Sequence, residues 1–172
     1  MDPTVCGMIC PVEREWVIEE SVLIEAPVAD VYAAVADPRR AVEWSPEVFR
    51  VWVRDEPIEV DSRFVGFNRR GPFLWFTNCD VTAAVPDTAF AFRVYSFGME
   101  VALWGYRLEP VGDGTRLTEY WQDLRRDYRA AWFVTLLGRI FTGVKGEDRS
   151  ALNREGMRTT LNRIKTALET RV

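Results

Sequence analysis

Proton chemistry in this chain falls to carboxylates and phenols, because the sequence contains no histidine. That removes the Ser-His-Asp triad, the Cys-His dyad and every imidazole metal ligand. Of the 22 basic residues only Lys145 and Lys165 are lysines, so a Schiff-base mechanism has two candidate positions. The side chains best placed for chemistry lie on alternating stretches. In TRLTEYWQDL (115–124) Glu119 shares a parity with Leu117 and Trp121, and in VALWGYRLEP (101–110) Tyr106 shares one with Trp104 and Leu108. Successive strand residues point to opposite faces, so both polar groups are expected on an inward, otherwise apolar face. A carboxyl held there away from positive charge is desolvated, its pKa rises, and it becomes a candidate general acid or base. The competing expectation is that Glu119 pairs with a Tyr or Arg and only fixes the strand. Tyr106 either donates to a ligand carbonyl or is a core ring whose hydroxyl finds one partner.

The same parity argument places Phe90, Phe92 and Val94 inward in the stretch 88–96, and Trp75, Thr77, Cys79 and Val81 inward in 73–85. In SRFVGFNRR (62–70) the parities are ambiguous between Phe64, Gly66, Asn68 and Val65, Phe67, Arg69. Asn68 can bind a ligand oxygen or the backbone near a bulge. Cys79 reads as a small buried hydrophobe, with no His or Lys near it in sequence to activate a thiolate. Trp44, Trp75, Trp104 and Trp121 are either an aromatic lining for a flat ligand or simple core filling.

Those residues need elements to hold them. The chain has 172 residues, enough for one domain, with 48% hydrophobic and 28% charged residues and ten Phe, seven Trp and five Tyr. Residues 1–14 carry no periodicity and are expected to be a poorly ordered arm before a single domain over 15–172. Alternation predicts a first strand over 15–26. Pro27 suits the start of a helix whose Val28, Val31, Tyr32 and Val35 share a face, and Asp37-Pro38 starts a second short one ending near Trp44. Six further strands are predicted over 48–56, 62–70, 73–85, 88–96, 101–110 and 115–124, separated by short turn signals such as Gly71-Pro72 and Gly112-Asp113-Gly114. The short gaps predict antiparallel hairpins and a seven-stranded meander. Met157, Leu161, Ile164 and Leu168 then trace one face of a C-terminal helix. Before it, 129–145 is expected to be a helix docked on the domain as a lid.

Composition excludes several roles. A net charge of −4 gives no electrostatic reason to seek nucleic acid or an anionic membrane. No apolar run is long enough for stable membrane insertion. Cys6, Cys10 and Cys79 are an odd number without framework spacing, which points to a reducing, cytoplasmic setting, and no signal segment precedes Arg14. No metal set and no cofactor motif is visible. The Arg pairs at 39–40, 69–70 and 125–126 read as solvated ends of strands and helices.

The segment SVLIEAPVADVYAAVADPRRAVEWSPEV (21–48), with GFNRRG (66–71), WFTNCDVTAAVPDTAFAFRV (75–94), WGYRLEPVGDGTRLTEYWQD (104–123) and NREGMRTTLNRIKTALE (153–169), resembles the polyketide cyclase/dehydrase and lipid-transport group of the SRPBCC, START-like superfamily. The resemblance implies an α+β helix-grip fold. In it a seven-stranded curved antiparallel sheet wraps round a long C-terminal helix, with two short helices after the first strand. It also implies an apolar cavity between sheet and helix, favours Phe64 and Asn68 as inward, and puts Trp44 near the entrance. Two functions then compete: binding of a small hydrophobic or aromatic molecule, polyketide- or lipid-like, and cyclase, aromatase or dehydratase chemistry on such a molecule. In the second, Glu119 moves protons while Tyr106 and Asn68 polarise a carbonyl.

Overall fold

The computed structural model describes residues 15–125 and 149–170. The arm expected over 1–14 and the helix expected over 129–145 lie outside them. The elements are β1 (Val17–Ile24), α1 (Val28–Val35), a 3-10 turn (Pro38–Arg40) running into α2 (Ala41–Trp44), β2 (Val48–Val53), β3 (Arg63–Arg70), β4 (Phe73–Val85), β5 (Ala89–Ser96), β6 (Met99–Val111), β7 (Gly114–Asp123) and α3 (Arg149–Glu169). Asp37 opens the 3-10 turn, its carboxylate accepting from the Arg39 amide at 3.0 Å, with Pro38 in the first position.

The strands form one sheet in the order β1-β7-β6-β5-β4-β3-β2, antiparallel at every pairing. β2 to β7 are a meander, as the turn spacing predicts. β1 corrects the expectation: it pairs with β7 at the opposite edge, not with β2. The cause is the helical connection, since α1 packs against β5, β6 and β7 and carries the chain across the concave face before β2 begins. β6 also starts two residues earlier than expected. Phe97 and Gly98 have φ of 51° and 77°, the consecutive positive values of a two-residue hairpin turn that keeps both strands paired to its edge.

Three register shifts curve the sheet: between Val48 and Arg50, between Val81 and Ala83, and between Val94 and Tyr95. A bulge puts two residues opposite one, bends the strand and changes which parity faces inward. Beyond the shift in β4, Ala84 packs into the same cluster as Val81, a change of phase that strict alternation does not foresee.

The core divides in two. Ile24, Val31, Ala34, Trp44, Leu108 and Leu117 pack with Leu161, Ile164 and Leu168 of α3. Ile18, Phe64, Cys79, Val81, Phe90, Val94 and Trp121 pack with Met157, nearer the beginning of that helix. Each large apolar side chain fully buried in this way contributes roughly 1.5–3 kcal/mol. α3 is also tied to β1 by ion pairs of Glu20 with Arg154 (2.8 Å) and Arg158 (3.1 Å), and by Lys165 donating to the Leu23 carbonyl at 2.7 Å.

Candidate functional site

Between the concave face and the first half of α3 lies a hollow of about 470 Å³. Strand register explains its wall, because inward residues that face one another on neighbouring strands form rungs across the sheet. One rung is Glu119, Tyr106 and Phe90. The next is Trp121, Trp104, Phe92 and Val81, and a third runs through Ala102, Val94, Cys79 and Phe64. Thr77 opposite Gly66, and Trp75 opposite Asn68, continue the wall toward the end of β3. The rings interlock: Phe64 meets Phe92 edge-on at 5.1 Å and 71°, and Trp104 lies 6.4 Å from Trp121. Trp44 closes one side from α2, its indole N–H donating to the Ala34 carbonyl at 3.1 Å and the Arg40 guanidinium resting 4.9 Å over its ring. Thus most side chains that parity or resemblance sets inward reach this hollow, including Phe64 and Asn68 from the ambiguous strand, whereas Val81, Leu108 and Leu117 are taken up by the packed core.

Glu119 is 4% exposed and Tyr106 partly buried. The Tyr106 hydroxyl donates to Glu119 Oε1 at 3.1 Å. Burial pushes the Glu119 pKa up to about 8, against a smaller lowering by that hydrogen bond. Burial, and then the neighbouring carboxyl, push Tyr106 well above the usual phenol range. Both groups are therefore mainly neutral at pH 7. With Oε1 accepting from Tyr106, the carboxyl proton belongs on Oε2, a buried oxygen that has no hydrogen-bond partner among the described residues. The pairing expectation for Glu119 thus holds in part, with Tyr106 as the partner, yet one oxygen stays available to a ligand.

Two other candidates have local partners. Asn68 Nδ2 donates to the Gly66 carbonyl at 3.2 Å. Cys79 is 3% exposed, and burial pushes its thiol up to about 12, so it packs as a small hydrophobe beside Thr77.

Sequence reasoning missed the polar end of the hollow. Arg70, Arg125, Arg149, Glu47 and Asn153 also line it. The expectation that the 69–70 and 125–126 pairs are simply solvated is corrected for Arg70 and Arg125, whose side chains are 28% and 13% exposed. Arg125 grips the fully buried Asp123 at 2.9 and 2.6 Å, while Glu47 lies 3.7 Å from both Arg70 and Arg149. An ion pair taken this far from water needs such close partners. The signal available in sequence was Asp123 itself, a carboxylate in phase with Glu119 and Trp121. A second, more open groove of about 610 Å³ between α2 and α3 is lined by Glu43, Trp44, Asn162 and Arg163 and holds no desolvated acid.

An antiparallel sheet curved round a long helix, with an aromatic hollow between them, defines a helix-grip protein. The family model for polyketide cyclase / dehydrase and lipid transport matches residues 15–169, and the chain belongs to that family. A polyketide cyclase-like protein of Corynebacterium glutamicum, solved by solution NMR, is 32% identical, with a TM-score of 0.62 over 91% of this chain and 93% of its own. The di-domain ARO/CYC StfQ of the steffimycin biosynthetic pathway is 15% identical, with a TM-score of 0.68 over 91% of this chain and 51% of that one. Ara h 8.0201 is 11% identical, with a TM-score of 0.63 over 90% and 97%. The latter two likenesses show the fold alone. No protein of curated function matches the chain. Among the described residues no helix is long and apolar enough to cross a membrane.

Proposed function

We propose that the protein binds a small hydrophobic or aromatic molecule, polyketide- or lipid-like, in the hollow between sheet and α3. One observation carries this reading: a 470 Å³ space walled by Phe, Trp and Val side chains, with a neutral carboxyl presenting an oxygen that has no partner among the described residues. Pockets for small molecules are mostly apolar with few convergent polar groups, and this wall has that composition. A flat body would lie along Trp104, Trp121 and Phe92, and a ligand carbonyl would accept from Glu119. The free thiol of Cys79 is consistent with a cytoplasmic setting.

A second reading, cyclase or dehydratase chemistry, is favoured by the Glu119–Tyr106 pair. A carboxyl with a pKa of about 8 can both give and take a proton near neutrality. Likeness in fold to the ARO/CYC of the steffimycin pathway supports the same reading. Here the hollow would hold a flexible chain in a reactive shape while Glu119 moves the proton.

Native mass spectrometry of the purified protein tests the binding reading: a co-purifying small apolar compound is expected, and a ligand-free spectrum with no uptake from an aromatic panel counts against it. Glu119→Gln then separates the two, keeping affinity within a few-fold in a carrier and abolishing turnover in a catalyst.

A further inference from the structure

The outer side of the sheet carries an apolar surface of its own. Gly66, Asn68, Trp75 and Thr77 line the hollow, so their neighbours Phe67, Arg69, Leu74 and Phe76 point away from it. In register Arg50 of β2 stands beside Phe67 and Phe67 beside Phe76, while Arg69 faces Leu74. The Arg50 guanidinium lies 6.0 Å over the Phe67 ring, and Phe49, at the register shift of β2, is 6.5 Å from the same ring. Phe49, Trp52, Leu74 and Phe76 are each more than half exposed. Single exposed apolar residues are ordinary, whereas a contiguous set on one face marks a contact surface.

Two further observations bear on what meets this surface. β5 pairs with β4 only from Asn78 onward, so the hairpin of β3 and β4, with Phe73 and Leu74 just past its Gly71-Pro72 turn, projects beyond the β5 edge. Arg50 and Arg69 are exposed, and neither guanidinium has a carboxylate partner among the described residues. The carboxylates on this side gather at the other end of β3. Asp80 is in register with Arg63 and Arg93, Asp55 lies 3.6 Å from Arg63, and Glu100 lies 3.2 Å from Arg93. Glu56, Glu59 and Asp61 belong to the link between β2 and β3 at that same end, and Glu47 turns to Arg70 and Arg149 at the hollow.

We propose that the β3–β4 hairpin and the adjoining part of β2 dock on an anionic lipid surface. Phe49, Trp52, Leu74 and Phe76 enter the headgroup region, and Arg50 and Arg69 meet lipid phosphates. Burial of an apolar face, together with attraction to anionic lipid, holds a protein at a membrane interface, where tryptophan is itself enriched. Guanidinium forks suit phosphate oxygens. Charge favours this occupant over a second copy of the chain. A two-fold contact presents the same patch from both sides, and its arginines then meet no acid among the described residues. The whole chain carries a net charge of −4, so the two arginines act at close range, within a Debye length. This is peripheral contact without a membrane-crossing segment, and it does not depend on what the hollow holds.

The test is co-sedimentation of the full chain with vesicles of phosphatidylcholine alone and of phosphatidylcholine mixed with phosphatidylglycerol. Binding to the mixed vesicles is expected, with weaker binding to the neutral ones and loss as salt is raised. Arg50→Gln with Arg69→Gln should weaken binding to the mixed vesicles by about fivefold for each arginine and leave the neutral vesicles unaffected. Leu74→Ser with Phe76→Ser should weaken binding to both by at least about tenfold. All four side chains are exposed, and circular-dichroism melting checks that the variants stay folded. No binding to the mixed vesicles overturns the proposal, and binding that survives both double substitutions overturns its assignment to this face. A dimer in sedimentation velocity that Leu74→Ser with Phe76→Ser disperses, without vesicle binding, gives the surface to a second copy instead.

Discussion

Tyr106 and Glu119 are direct register partners on β6 and β7, and their side chains meet at 3.1 Å on the concave face. Among the described residues nothing cationic enters the balance at Glu119: burial raises its pKa and the Tyr106 phenol lowers it. Elsewhere on the same strand Asp123 is equally buried but is held by Arg125. Two carboxyls on one face of one strand thus meet opposite environments, one apolar and one cationic, and their spacing places them in different parts of the hollow.

Stability should carry the mark of Glu119. Its folded pKa of about 8 lies above the ordinary 4.5, so the folded state holds the proton more tightly than the unfolded one. The contribution is therefore complete below about pH 4.5 and is lost as pH rises through about 8, at up to about 1.4 kcal/mol per pH unit. Glu119→Gln, which resembles the protonated acid, should flatten this slope and be the more stable protein at pH 8.5. Urea unfolding of both proteins at pH 5 and pH 8.5 measures it, and parallel pH dependence in the two would refute the assignment.

Tyr106→Phe removes the hydrogen bond that, among the described residues, lowers the Glu119 pKa, so the carboxyl should titrate higher in the variant than in the unaltered protein. The lost hydrogen bond should cost about 1 kcal/mol. Carbon-13 NMR titration of the glutamate side chain reads the shift directly; an unmoved midpoint would show that the two groups are uncoupled.

Cys79 should be inert in the folded protein. With its thiol pushed up to about 12, the thiolate fraction at pH 8 is on the order of 10⁻⁴, and the side chain is closed off besides. Iodoacetamide at pH 8 should leave Cys79 unmodified in native protein and alkylate it in urea, with peptide mass mapping to separate it from Cys6 and Cys10. Modification at equal rates in both conditions would contradict the burial.

Much of the wall was legible because strand parity is a local property. Glu119, Tyr106, Trp104 and Phe92 could be set inward from two or three neighbours each, and register then joined them without further information. Bulges are less visible. The phase change that brings Ala84 inward depends on how β4 meets β5, and no residue type in 81–84 announces it. The arginines escaped for a different reason. An Arg at the end of a strand is ordinarily solvated, and whether it is buried depends on what the rest of the chain lays over it.

Sequence alone determined the order of the strands and helices, the turns between β2 and β7, and the inward face of β5, β6, β7 and the first part of β4, because periodicity and turn chemistry act over a few residues. Tertiary structure decided that β1 closes on β7, that α3 leaves a hollow beneath Asn153 and Met157, and that Arg70, Arg125 and Arg149 meet there. Those three side chains come from separate elements, and only the folded sheet's curvature brings their charges to one wall.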